Sequence, residues 1–196
     1  MKTISEAITA SVKIQRSEFI STLYPVGDAL SIKEMIAGHN IKYKDATHNC
    51  YAYILGKKQE VQYYSDQGEP SGTAGKPILN TLLKHDLTNV LAMVTRYYGG
   101  IKLGVRGLID AYSEAVEIAI AKAELIDYVP TRQLTMLCDY SSLDLLKHNL
   151  HQIDAKMEVL EFTDKVRGMI VFPESRQTDM DSLIADLTQK QLISII

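Results

Sequence analysis

The stretch TNVLAMVTRYYGGIKLG, residues 88–104, decides how this chain is read. Val90–Val94 is an unbroken apolar run, the pattern of a central strand covered on both faces. The run passes into a loop containing Gly99, Gly100 and Gly104, and the loop opens a helix from about Val105 to Lys122. Val105, Leu108, Ile109, Tyr112, Ala115, Val116 and Ala119 recur there at helical spacing, with Arg106, Asp110, Glu114 and Glu117 on the other faces. The unit is therefore strand, glycine loop, amphipathic helix.

Upstream the same arrangement occurs again. Val61–Ser65 reads as a strand, SDQGEPSGTAGKP (65–77) as a glycine-rich loop, and Lys76–Lys84 as a helix. Pro77 falls in the first turn of that helix, where a missing N–H is tolerated. Thr47–Leu55 pairs antiparallel with Val61–Ser65 across the turn GKKQE. Ile8–Ile14 and Glu18–Val26 form a hairpin about Gln15-Arg16-Ser17, and Asp28 caps a helix that runs through Met35 and Ile36 to end near Gly38.

Pro130 marks a change of pattern. Beyond it Leu134, Met136, Cys138 and Tyr140 alternate as a strand, and Ser141 begins an S-x-x-D cap for a helix carrying Leu143, Leu146 and Leu150. Ile153–Phe162 and Val166–Phe172 flank a turn, a helix follows over Asp179–Thr188, and Leu192–Ile196 is the last strand. This βαββαβ order is that of a ferredoxin-like domain. The fold class is α+β with two domains, 1–125 and 131–196.

Net charge is −3, so the molecule as a whole does not advertise a polyanion partner. Arg96, Lys102 and Arg106 nevertheless stand in residues 95–107 without a single carboxylate, which makes any anion attraction local to that loop. Cys50 and Cys138 are too isolated for a disulfide framework, and a reducing cytoplasm is the expected compartment. The N-terminus MKTISEAITASVKIQ lacks an apolar signal core, and no run is long enough to cross a bilayer.

The candidate site comes from the two glycine loops. In the second, glycines bring backbone N–H groups close to a ligand and the helix start supplies its positive dipole end. Arg96, Lys102 and Arg106 add charge, Tyr97 and Tyr98 offer stacking faces, and Gly99, Gly100 and Gly104 shape the loop. In the first, Ser71, Thr73, Lys76 and the amides around Gly72 and Gly75 read as an anion-binding lip. Asp66 and Glu69 are acceptors that either cap turns or hold a divalent ion against a phosphate. His48 and Cys50 share a strand face without further zinc ligands in reach, and read as a packed polar pair. His148 and His151 share a helix face toward solvent. Ser71 lies in no nucleophile elbow, and no catalytic set is legible.

The motifs DATHNCYAY (45–53), SDQGEPSGTAGKPIL (65–79), TNVLAMVTRYYGGIKLG (88–104) and GLIDAYSEA (107–115), in that order, resemble the Impact/YigZ family along essentially the whole chain. The resemblance implies an N-terminal domain with the left-handed βαβ fold shared by a small-subunit ribosomal protein and domain IV of elongation factor G. It implies a ferredoxin-like C-terminal domain similar to domain V of that factor. Val105 and Arg106 depart from the small, glycine-rich pattern usual after Gly104 and place an extra cation beside the loop. The translation-control protein bound by eukaryotic members through an additional N-terminal domain is not carried over. The leading expectation is an RNA-binding module linked to translation, with no cofactor. An enzyme or sensor of a small phosphorylated ligand, and a protein-interaction adaptor, stand beside it.

Overall fold

The computed structural model describes all 196 residues and divides into two units, Met1–Tyr128 and Val129–Ile196. The first unit runs β1 (Lys2–Ile4), β2 (Ile8–Ile14), β3 (Ser17–Pro25), α1 (Ala29–Lys42), β4 (His48–Leu55), β5 (Val61–Ser65), α2 (Gly75–Lys84), β6 (Val90–Tyr97), α3 (Gly104–Lys122) and β7 (Leu125–Asp127). Five strands form one sheet in the order β2-β3-β6-β4-β5, antiparallel at every pairing. β3 and β4 therefore run parallel to each other on either side of β6, joined through α1.

Strand β6 explains its own sequence. Val90, Ala92 and Val94 pack into the cluster shared with α2 and α3, which contains Ile78, Leu82, Leu108 and Val116. Leu91 and Met93 pack the other way, with Val26, Ile32 and Leu55 on the α1 side. A strand with a helical layer on each face has no wet side, so it reads as continuous apolar residues. The same alternation carries Arg96 to the α3 face and Thr95 to the α1 face.

The second unit runs β8 (Thr131–Cys138), α4 (Leu143–Gln152), β9 (Lys156–Phe162), β10 (Val166–Pro173), α5 (Gln177–Gln189) and β11 (Ile193–Ile195). Its four antiparallel strands lie in the order β11-β8-β10-β9, around a core that includes Met136, Leu146, Ile170, Phe172 and Met180. This is the expected βαββαβ arrangement. No helix of the structure is long and apolar enough to cross a membrane.

Local differences have local causes. Helix α1 does not stop at Gly38 but continues to Lys42, because nothing follows Gly38 that would satisfy or break the ladder until Tyr43 closes on His39. The expected Ser141 cap is replaced by a 3-10 turn over Tyr140–Ser142, and no side chain caps α4. Strand β9 begins at Lys156 rather than Ile153, since Ile153–Asp154 still close the helix end through bonds to Leu150 and His151. The short pair β1 and β7, with Thr3 opposite Ile126, has too little periodicity to be visible in the sequence.

Candidate functional site

The two glycine-rich loops end differently. In the first, Asp66 Oδ1 accepts the N–H groups of Ala74 at 3.0 Å and Gly75 at 2.8 Å, and Oδ2 accepts that of Gly72 at 2.8 Å. The chain has supplied its own anion to the N-terminus of α2, where the unpaired N–H groups and dipole favour negative charge. Thr73 is buried and its hydroxyl donates to Pro70 O at 2.7 Å, while Ser71 and Lys76 are exposed. The amides expected to form an anion-binding lip around Gly72 and Gly75 are thus already occupied. Of the two readings of Asp66 and Glu69, Asp66 takes the turn-capping one. Both Asp66 oxygens hold backbone donors, and Glu69 is neutralised by a buried cation.

That cation is Arg96. It is 5% exposed, and its Nη1 donates to Glu69 Oε1 at 2.5 Å, a strong charge-assisted contact in a site with little water. Tyr112 Oη donates to the same Glu69 oxygen at 2.9 Å. Arg96 Nη2 reaches Ser17 Oγ at 3.5 Å, Nε is buried without a partner, and the guanidinium lies between the rings of Phe19 and Tyr98, 5.4 and 5.3 Å from their centroids. Arg96 is therefore not a free phosphate ligand. It anchors the first loop to the sheet, a role that its place among exposed-looking Tyr and Gly residues does not suggest.

Two more side chains join this network. The Cys50 thiol donates to Asp66 O at 2.9 Å and lies 3.4 Å from Tyr112 Oη. Burial pushes the Cys50 thiol up to about 12, and burial, with Cys50 and Glu69 nearby, raises the Tyr112 phenol well above its ordinary value. Neither is a nucleophile or base near neutral pH. His48, opposite Arg96 on β4, donates from Nδ1 to Gln67 O at 2.9 Å. His48 and Cys50 do form a packed polar pair, each holding a backbone carbonyl of the first loop. His148 and His151 are both exposed on α4. Tyr112 was legible only as part of an apolar helix face. The signal was that a tyrosine buried on such a face needs a partner for its hydroxyl.

Above this network lies a pocket of about 380 Å³. The first loop contributes Glu69 and Pro70, strand β6 contributes Arg96, the second loop contributes Tyr98, Lys102 and Leu103, and the start of α3 contributes Gly104, Val105 and Leu108. Glu69 and Arg96 are its buried end. Tyr98, 43% exposed, and the exposed Lys102 stand at its open side. Helix α3 starts here with no side chain capping it, and Gly104 takes φ +71 at the first position. Lys102 has no carboxylate or hydrogen-bond partner. An uncapped helix start with a free lysine is complementary to an anion, whereas the equivalent start of α2 is already filled.

Not every expected residue comes to this pocket. Tyr97 falls on the opposite face of β6 and donates its hydroxyl to Asp45 at 3.1 Å, so it is separated from Tyr98. Arg106 is almost fully exposed and faces Asp110 at 3.8 Å, one turn along α3. Gly99 is required by packing, since a Cβ there would lie 1.9 Å from Arg16 O. Gly100, at φ +88, meets nothing and serves the backbone turn alone. Arg96, Tyr98, Lys102 and Gly104 are brought together with Glu69. Ser71, Gly72, Thr73, Lys76, Tyr97, Gly99, Gly100 and Arg106 do not line the cavity.

Comparison with known proteins places these features in a lineage. The model of the Impact N-terminal domain matches residues 15–120, which include both loops and the pocket. The chain is 32% identical over 186 residues to the IMPACT family member YvyE of Bacillus subtilis, covering 95% of this chain and 86% of that protein. It is 30% identical over 187 residues to the IMPACT family member YigZ of Escherichia coli, covering 94% and 92%. A crystal structure described as that of a hypothetical protein superposes with a TM-score of 0.70 at 28% identity, over 100% of this chain and 95% of the other.

Proposed function

The chain belongs to the Impact family, and from that premise we propose that it is an RNA-binding module acting in translation or its regulation, with the pocket between the loops as the seat of one nucleotide. The observation that carries this reading is the contrast between the two helix starts. Asp66 closes α2 from within, while α3 begins uncapped at a cavity beside an unpaired Lys102 and the exposed ring of Tyr98. Phosphate on the α3 amides and Lys102, with a base against Tyr98, is how single strands are held without reliance on overall protein charge. The family resemblance implies for both domains folds shared with ribosome-associated proteins, and this supports RNA of the translation apparatus as the class of partner.

The alternative, a small phosphorylated ligand, is favoured by the pocket's volume of about 380 Å³, within the range of small-molecule sites. Binding of single-stranded RNA across a salt series separates the two. The wild type should show log K falling with log salt at about −0.7 per phosphate contacted, and Lys102→Ala should lower that slope by about one contact. The melting temperature of Lys102→Ala should stay at the wild-type value because the residue is exposed. Lys122→Ala, at the far end of α3, is the control. Equal slopes in all three proteins, or a saturable rise in melting temperature with a mononucleotide and none with RNA, would replace this reading by the small-ligand one.

A further inference from the structure

Glu69 is only 3% exposed at its side chain, yet it lines the pocket. Its protein hydrogen bonds converge on one oxygen: Arg96 Nη1 at 2.5 Å and Tyr112 Oη at 2.9 Å both donate to Oε1. No protein donor falls on Oε2. Oε2 is not sealed in the interior as Arg96 Nε is, so it stays an open acceptor at the end of the cavity for a donor on whatever enters. Arg96 already balances the charge, which removes the need for a full cation. What is missing is a neutral N–H donor on a flat, largely apolar body, because the walls are Pro70, Leu103, Val105, Leu108 and the Tyr98 ring.

We infer that the pocket selects a nucleobase carrying an exocyclic amino group, with that group donating to Glu69 Oε2, the ring against Tyr98 and the phosphate at Lys102. This rests on the nucleotide-binding reading above and adds base selectivity to it. Amino groups of adenine, cytosine and guanine are donors suited to a carboxylate acceptor. A carbonyl in the same position turns its lone pairs toward Oε2 and displaces the water that would otherwise separate them. The ring N–H of uracil does not escape this, since it lies between two carbonyls and brings an oxygen with it. Exchange of amino for carbonyl should cost about tenfold or more in affinity, the scale of one hydrogen bond to a charged group.

The test uses ligand pairs in which that amino group becomes a carbonyl and the adjacent ring nitrogen gains a hydrogen: AMP against IMP and CMP against UMP, free and as short oligonucleotides of each base, on the full chain. The amino member of each pair should bind about tenfold tighter. In Glu69→Gln the amide oxygen takes over the contacts of Oε1, and the NH₂ faces the pocket as a donor, so the preference should vanish or invert. If that variant does not fold, the wild-type comparison of the four bases still decides. Equal affinity within both pairs, with the Lys102-dependent salt slope intact, overturns the base selectivity and leaves RNA binding standing. Absence of binding by every strand and every mononucleotide overturns both. Saturation by free AMP or CMP with no gain from a strand keeps the base selectivity and assigns the pocket to a free nucleotide.

Discussion

His39 shows how much a single side chain depends on its surroundings. It is buried, and its ring is held at both nitrogens, Nδ1 at 3.0 Å from Tyr24 Oη and Nε2 at 2.8 Å from Thr95 Oγ1. Thr95 gives its own hydroxyl hydrogen to Asn49 Oδ1 at 2.7 Å, so it accepts from His39 Nε2–H, and Nδ1 accepts from Tyr24. The ring is therefore neutral, with Nε2 protonated. Burial, with Lys42 adding to it, lowers the His39 pKa to about 4. The unfolded chain binds this proton near pH 6.5 and the folded chain only near 4, so stability is full above about 6.5 and falls as pH drops between those values. The expected loss is on the order of 3 kcal/mol by pH 4. Urea unfolding at pH 7 and pH 4 should show a larger loss in the wild type than in His39→Gln. Equal losses would mean that this histidine is already protonated in the fold.

At the scale of the element, the contrast between α2 and α3 makes a stability prediction as well as a functional one. Removing Asp66 leaves two N–H groups at the start of α2 and a third, that of Gly72, in the loop before it without their acceptor, and caps of this kind contribute about 1–2 kcal/mol or more. Asp66→Ala should therefore lower the stability of the first unit by about 2 kcal/mol. Lys102→Ala, at the start of α3, should leave it unchanged. Chemical denaturation of the two variants beside the wild type checks this, and an Asp66→Ala protein as stable as wild type would show that solvent satisfies those amides equally well. The sequence placed both loops correctly between strand and helix, because glycine and proline spacing is a local signal. It did not show which helix start is self-capped. That depended on Asp66 folding back over six to nine residues.

For the whole molecule, the first unit ends at Tyr128 and the second begins at Val129, and each has its own sheet and its own buried cluster. We expect the segment of residues 123–131 to be the first site of limited proteolysis, leaving two resistant fragments. First cleavage within 60–110, with the junction intact, would mean that the loops are less ordered than the boundary and that the division is wrong. By itself the sequence determined the α+β class, the βαββαβ order beyond Pro130 and the central strand Val90–Val94, since hydrophobic period and turn residues are properties of neighbouring positions. The tertiary structure alone decided the site's chemistry. Glu69 and Arg96 are 27 residues apart, and Tyr112 is 43 from Glu69, so their meeting follows from sheet register and the packing of α3 rather than from any local pattern. The charge of Arg96 is neutralised only by that long-range meeting, and Lys102 is left as the free cation only because nothing folds back to meet it.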